Sequence, residues 1–175
     1  MEGEASRWRC ERTLDGHVSG VWCMVAWGDR AACGCGDGGI RVWSTETWAL
    51  ERTLQGHEGG VRGMVMSGRR LISSSYDSAV RVWSTETWEC VQTVEACPAG
   101  SGRYIRCLAV CGSALVGGCC SKSLSEKGEV RVWGLETLRP LHTLVQPANL
   151  MSLVCDGRKV WGAVGTQVVV WGLRG

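Results

Sequence analysis

The sequence predicts an all-β protein assembled from four copies of one small antiparallel sheet. Three observations predict it: a tryptophan-anchored phrase that returns four times, short apolar runs bounded by turn residues, and no segment with a sustained helical period. The phrase Val42-Trp43-Ser44-Thr45-Glu46-Thr47-Trp48 returns as Val82-Trp83-Ser84-Thr85-Glu86-Thr87-Trp88. Looser copies are Val132-Trp133-Gly134-Leu135-Glu136-Thr137-Leu138 and Val170-Trp171-Gly172. Trp43, Trp83, Trp133 and Trp171 are thus 40, 50 and 38 residues apart. Upstream of each copy stands a pair of one type: Thr13-Leu14, Thr53-Leu54, Thr93-Val94 and Thr143-Leu144.

Each copy contains four strand-like runs; in the second they cover roughly 48–54, 61–66, 71–75 and 79–83. They are rich in Val, Ile, Met and Trp and are separated by Gly, Ser and Asp, the residues of tight turns. The first copy opens the same way, with an outer strand expected at 8–14. A four-stranded unit repeated every forty-odd residues predicts a β-propeller. The whole chain, 1–175, reads as one domain with repeats at about 7–43, 48–83, 88–133 and 138–171.

Composition narrows the class. The 175 residues are 45% apolar and 21% charged, enough for one domain with a core. Nineteen basic against 17 acidic side chains leave +2, too mild for a nucleic-acid arm, so nucleic acid is not an expected partner. No apolar run is long enough to cross a bilayer, and no signal-peptide pattern opens the chain, so an intracellular location, cytoplasmic or nuclear, is expected. Eleven cysteines, an odd number without a Cys-x-x-Cys, argue against a paired framework and against structural zinc. No cofactor and no metal are expected.

The residues at the repeat positions resemble those of the WD-repeat propellers. The resemblance rests on Gly56-His57, Ser75-Tyr76-Asp77 and Val80-Arg81-Val82-Trp83, and in the first repeat on Gly16-His17, Asp37 and Ile40-Arg41-Val42-Trp43. The Asp that follows Trp in that family is absent; Ser44, Ser84, Gly134 and Gly172 stand there. The resemblance implies a buried tetrad: His57, Ser75, Asp77 and Trp83 in the second repeat, and His17, Cys35, Asp37 and Trp43 in the first. Trp only donates, ionised Asp only accepts, and His and Ser do both, so such a set leaves no orphan group. The third and fourth repeats have only the blade tryptophans, Trp133 and Trp171, with Cys119 and Val164 in the Ser slot. A serine, histidine and aspartate could also be catalytic, with Ser75 as nucleophile. A set that recurs with the repeat, with Cys in place of Ser, reads instead as a strut.

The alignment also sorts the cysteines. Cys23, Gly63, Cys107 and Ser152 share an inner-strand column, Cys10 and Cys90 an outer-strand column, and Cys35 and Cys119 the Ser slot. All three columns are expected to be packed sites, where a free thiol behaves as a small apolar group. Cys97 and Cys120 fall in expected loops and are the candidate reactive thiols. Arg41, Arg81 and Arg131 are expected to point outward, and His142 to be a surface histidine.

A partner is expected on a loop face, since connecting segments carry recognition on a rigid scaffold. The third repeat is longer than the second at two places, 96–103 and 120–128, which should crown the same face of one blade. The expected partner-binding residues are Glu58, Arg62, Tyr76, Arg103, Tyr104, Arg106, Lys122 and Lys127. Rings of the resembling family usually have seven blades, so four copies imply about half a ring. An open arc is ranked first, ahead of a homodimer completing an eight-bladed ring and of four blades closing alone. The expected function is noncatalytic: a scaffold that docks another protein. The repeats are broadly similar to those of ubiquitin-ligase substrate receptors, which makes a fragment or paralogue of such a receptor the alternative. The sequence has no room for an F-box or RING. An enzyme using the propeller face is the rival from another class, without a phosphate loop, an HExxH or a nonrepeating Ser/His/Asp set to support it.

Overall fold

The computed structural model describes residues 9–98, 100–121 and 127–172. Every regular element among them is a strand. The first sheet consists of β1 (Val21–Trp27), β2 (Arg30–Cys35), β3 (Ile40–Ser44) and β4 (Leu50–Leu54). The second holds β5 (Val61–Ser67), β6 (Arg70–Ser75), β7 (Ala79–Ser84) and β8 (Cys90–Glu95). The third holds β9 (Arg103–Cys111), β10 (Ala114–Ser121), β11 (Gly128–Gly134) and β12 (Pro140–Gln146). The fourth holds β13 (Leu150–Cys155), β14 (Lys159–Val164) and β15 (Gln167–Gly172). All pairings are antiparallel between consecutive strands, and the sheets stack in chain order without the first packing on the last. The molecule is an open arc of four propeller blades.

Blades and sequence repeats are offset by one strand. The outer strand that opens each repeat pairs with the tryptophan strand of the preceding one: Trp43↔Leu50, Trp83↔Cys90 and Trp133↔Pro140. The Ser-Thr-Glu-Thr-Trp phrase causes this. Ser44 Oγ accepts from the backbone N–H groups of Glu46 and Thr47, and Trp48 N–H donates to the Ser44 carbonyl at 3.0 Å. Trp48, Trp88 and Leu138 close these hairpins in the left-handed region, at φ 62°, 64° and 51°. The chain therefore folds back directly beside the strand it has just made.

One expectation is corrected here. Trp8 lies outside the described residues, and residues 9–14 form no strand. The fourth blade accordingly has three strands among the described residues, not four.

Three apolar layers fill the spaces between blades. Ile40, Val42 and Leu54 meet Val61, Leu71 and Trp83; Ile72 and Val82 meet Ile105, Leu115 and Trp133; Val116 and Val130 meet Leu150 and Val160. The four blade tryptophans share one register, opposite Ala31, Leu71, Leu115 and Val160. Trp43, Trp83 and Trp133 are buried, and Trp171, at the open end, is half-buried.

The inner-strand column of small residues has a steric cause. Its members pair with equally small partners: Cys23↔Gly34, Gly63↔Ser74, Cys107↔Gly118 and Ser152↔Ala163. A Cβ on Gly118 would stand 2.6 Å from Cys107 Sγ and 2.9 Å from Leu150 Cβ of the next blade. Gly118→Ala should therefore destabilise by about 1–3 kcal/mol, the usual cost of overpacking. Cys107→Gly in the same chain should restore part of that, because it empties one of the two contacts. Equal additive losses in a double-mutant cycle of urea melts would refute the shared space. The outer-strand column differs from expectation: Cys10 and Cys90 are exposed, since nothing packs on that edge of the arc.

Candidate functional site

The second blade contains a closed hydrogen-bond chain, but its hydroxyl is Ser73, not Ser75. Trp83 Nε1–H donates to Ser73 Oγ at 2.8 Å, and Ser73 Oγ lies 2.7 Å from His57 Nε2. His57 Nδ1 is 2.8 Å from Asp77 Oδ2. The chain is satisfied when Nδ1–H donates to Asp77 and Nε2 accepts from the serine hydroxyl, which assigns the tautomer. Burial alone would raise the Asp77 carboxyl. Hydrogen bonds from His57 and from the Ala79 and Glu58 N–H groups outweigh that and hold it below its ordinary value. Ser75 Oγ instead donates to the Gly59 carbonyl at 2.7 Å. Ser73 is fully buried, which suits a strut and not a nucleophile.

The first blade lacks this chain. The residue equivalent to Ser73 is Cys33, not Cys35, by the matching pairs Cys33↔Arg41 and Ser73↔Arg81. Cys35 Sγ lies 3.4 Å from His17 Nδ1, and Trp43 Nε1 is buried without a hydrogen-bond partner. Asp37 turns to Arg41, which binds it through both terminal nitrogens, at 3.2 Å and 2.7 Å. That hydrogen bonding, ahead of the opposing burial, lowers the Asp37 carboxyl to about 2. Arg41 is therefore buried rather than pointing outward, and Arg81 and Arg131 are half-buried.

On the loop face, the two long segments of the third repeat do meet. Arg103 pairs with Glu129 at 3.0 Å and donates to the Lys127 carbonyl at 3.1 Å, and Arg131 donates to the Ala96 carbonyl. Lys127 and Glu58 are exposed; Lys122 lies outside the described residues. Tyr104 is buried against Tyr76, their rings 4.3 Å apart, so it supports the face from below instead of lining it.

At the concave centre lies a second feature, of which the sequence reading named only Arg62 and Arg106. Every inner strand has a bulge at the same position, and the extra residues are Trp22, Arg62, Arg106 and Met151. A bulge re-aims the side chain it inserts. All four line one cavity of about 240 Å³ in the concave centre of the arc. The Trp22 indole lies flat over Gly60, where any Cβ would overlap the ring. The Arg62 guanidinium sits 5.1 Å from the Trp22 ring and 5.4 Å from that of Tyr76, and its Nε has no hydrogen-bond partner. No carboxylate lines the cavity among the described residues. The only sequence signal was the column of unlike residues just before the small-residue column.

Both candidate reactive thiols are corrected by burial. Cys120 is in β10, not a loop, and burial pushes its thiol up to about 11. Cys97 is buried with its sulfur 3.2 Å from Cys119 Sγ, a contact that raises its pKa together with burial. Alkylation at neutral pH should label exposed Cys10 and Cys90 first, leaving Cys97 and Cys120 largely unmodified in the folded protein. Early labelling of either buried thiol, read by peptide mass spectrometry, would contradict this packing. Among the described residues no cluster of three or more His, Cys, Asp or Glu is placed to hold a metal, and no helix is long and apolar enough to cross a membrane.

The family model described as "WD domain, G-beta repeat" matches residues 8–44 and 48–84. No curated protein matches the sequence. Among solved structures, the computationally designed Ika4 protein is similar at 22% identity and TM-score 0.77, over 93% of this chain and 96% of its own. The computationally designed Ika8 protein is similar at 24% identity and TM-score 0.75, over 92% of this chain and 48% of its own. A chain of the mitotic checkpoint complex is similar at 19% identity and TM-score 0.79, over 94% of this chain and 51% of its own. The chain thus spans about half the length of the last two.

Proposed function

We propose that this chain, a four-bladed propeller arc whose first two repeats match the WD-repeat family model, is a protein-interaction scaffold that docks an acidic segment of a partner protein at its concave centre, without catalysis. The carrying observation is the cavity among Trp22, Arg62, Arg106 and Met151: two guanidinium groups, two apolar side chains and no carboxylate. Arg and Trp are the side chains that dominate interface energetics, and an Arg held against two touching rings is already in place before a partner arrives. Tyr76 and Tyr104 hold this centre from one side, and the paired loops that carry Arg103 and Lys127 form its rim. The docking is expected to occur inside the cell and to weaken with salt, because guanidinium–carboxylate attraction at an open surface is screened. Affinity purification with mass spectrometry tests the reading: a partner captured by the wild type should be lost with Arg62→Glu and retained with Arg69→Glu, a change on an outlying exposed turn. Capture that ignores Arg62→Glu and salt would overturn it.

A further inference from the structure

The two ends of the arc are complementary, and each lacks what the other has. On the fourth blade, Val154, Trp161, Val168 and Val170 form an apolar sheet face that is between 39% and 72% exposed. They align through Val154↔Trp161↔Val170. The same face of the first blade, Val25↔Ala32↔Val42, and of the second, Val65↔Ile72↔Val82, is covered by the blade that follows. What covers it there is the face bearing the next tryptophan.

On the first blade, that tryptophan-bearing face has no neighbouring blade. Val21 and Met24 are exposed on it, and among the described residues Trp43 packs with Cys33, Cys35, Leu14 and His17, whose ring lies 5.4 Å away. Leu14 holds the place that Leu54 holds over Trp83. The segment Cys10-Glu11-Arg12-Thr13-Leu14 repeats the outer strand Leu50-Glu51-Arg52-Thr53-Leu54. It lies where the outer strand of a preceding blade would lie, yet it has no sheet to join. The fourth blade, conversely, has a free edge at β15 among the described residues, and beside Trp171 an apolar groove of about 220 Å³ opens between it and the third blade.

We infer that a second copy of this chain completes both ends. Two arcs join head to tail about a twofold axis, and residues 10–14 of each become the fourth strand of the other's last blade. The register follows from the ladders already present: Cys10 opposite Trp171, Arg12 opposite Val170 and Leu14 opposite Val168, as Leu50, Arg52 and Leu54 stand opposite Trp43, Val42 and Ile40. Each joint then repeats the contact made three times inside the chain, so the new interfaces continue an existing one. A ring of eight blades with no open sheet edge results, which removes the liability of bare strands. The inference concerns the open ends and is independent of what docks at the centre.

Light scattering on the full chain at micromolar concentration tests it. The wild type should elute at twice the chain mass, and Val170→Asp should give a monomer with an unchanged far-ultraviolet spectrum. Should that variant misfold, Leu14→Cys with Val168→Cys keeps the question open to an answer. In a background carrying Cys10→Ser and Cys90→Ser, which removes the exposed thiols, mild oxidation should give a covalent dimer from the double variant and not from either single one. A wild type that stays monomeric at 100 µM, or a dimer that the double variant fails to cross-link, would overturn the two-copy ring.

Discussion

Ser73→Ala should lower the melting temperature by roughly 5–15 °C, well beyond the loss caused by Ser75→Ala. Ser73 is the one group that joins Trp83 to His57, and all three are buried. Removing its oxygen strands an indole N–H and an imidazole nitrogen together. Each stranded buried group costs about 1–3 kcal/mol, so the sum is about 2–6 kcal/mol. At this chain length a kilocalorie moves the melting point by about 2–4 °C. Ser75→Ala removes one bond to the Gly59 carbonyl and one from the Asp77 N–H, both at the edge of a turn, and should cost about 1 kcal/mol. The first blade supplies a control of opposite sign. Trp43 Nε1 has no acceptor there, and Cys33→Ser places an oxygen at the position of Ser73, so a gain of about 1 kcal/mol is expected. Thermal melts giving Ser75→Ala the larger loss would refute this assignment. Asp77→Ala and Asp37→Ala do not separate the two blades in this way. Each aspartate holds a buried partner, His57 in one blade and Arg41 in the other.

Trp22→Ala combined with Arg62→Ala should cut partner affinity at least thirtyfold while leaving the four blades folded. Truncating an interface anchor typically costs 2 kcal/mol or more, which corresponds to about that factor. Trp22 is half exposed at a bulge and contacts the second blade over Gly60, so its loss opens the cavity without touching the layers between blades. Arg62 loses its charge and the cation–π contacts that hold it against Trp22 and Tyr76. Arg103→Ala should affect binding less, because Arg103 is engaged by Glu129 and by the Lys127 carbonyl. Binding measured by fluorescence anisotropy, with circular dichroism on each variant, separates a lost contact from a lost fold. An affinity insensitive to the double change would remove the concave centre as the docking site.

Read alone, the amino-acid order specified the number of blades, the tryptophan register and the small-residue column. These follow from periodicity, because alternation along a strand assigns each side chain to a face, and the repeat says which faces are alike. Depth along a face was not legible. Ser73 and Ser75 are two residues apart and point the same way, so only the position of the Trp83 indole tells which one it reaches. Arg41 reads as an outward charge until Asp37 is seen to draw it in, and Cys120 reads as a loop residue until β10 is seen to run on to Ser121. Trp22, Arg62, Arg106 and Met151 were invisible as a group, because a bulge breaks the very alternation by which faces are assigned. Local pattern sets which side of a sheet a residue occupies; packing against the next blade sets what it touches there.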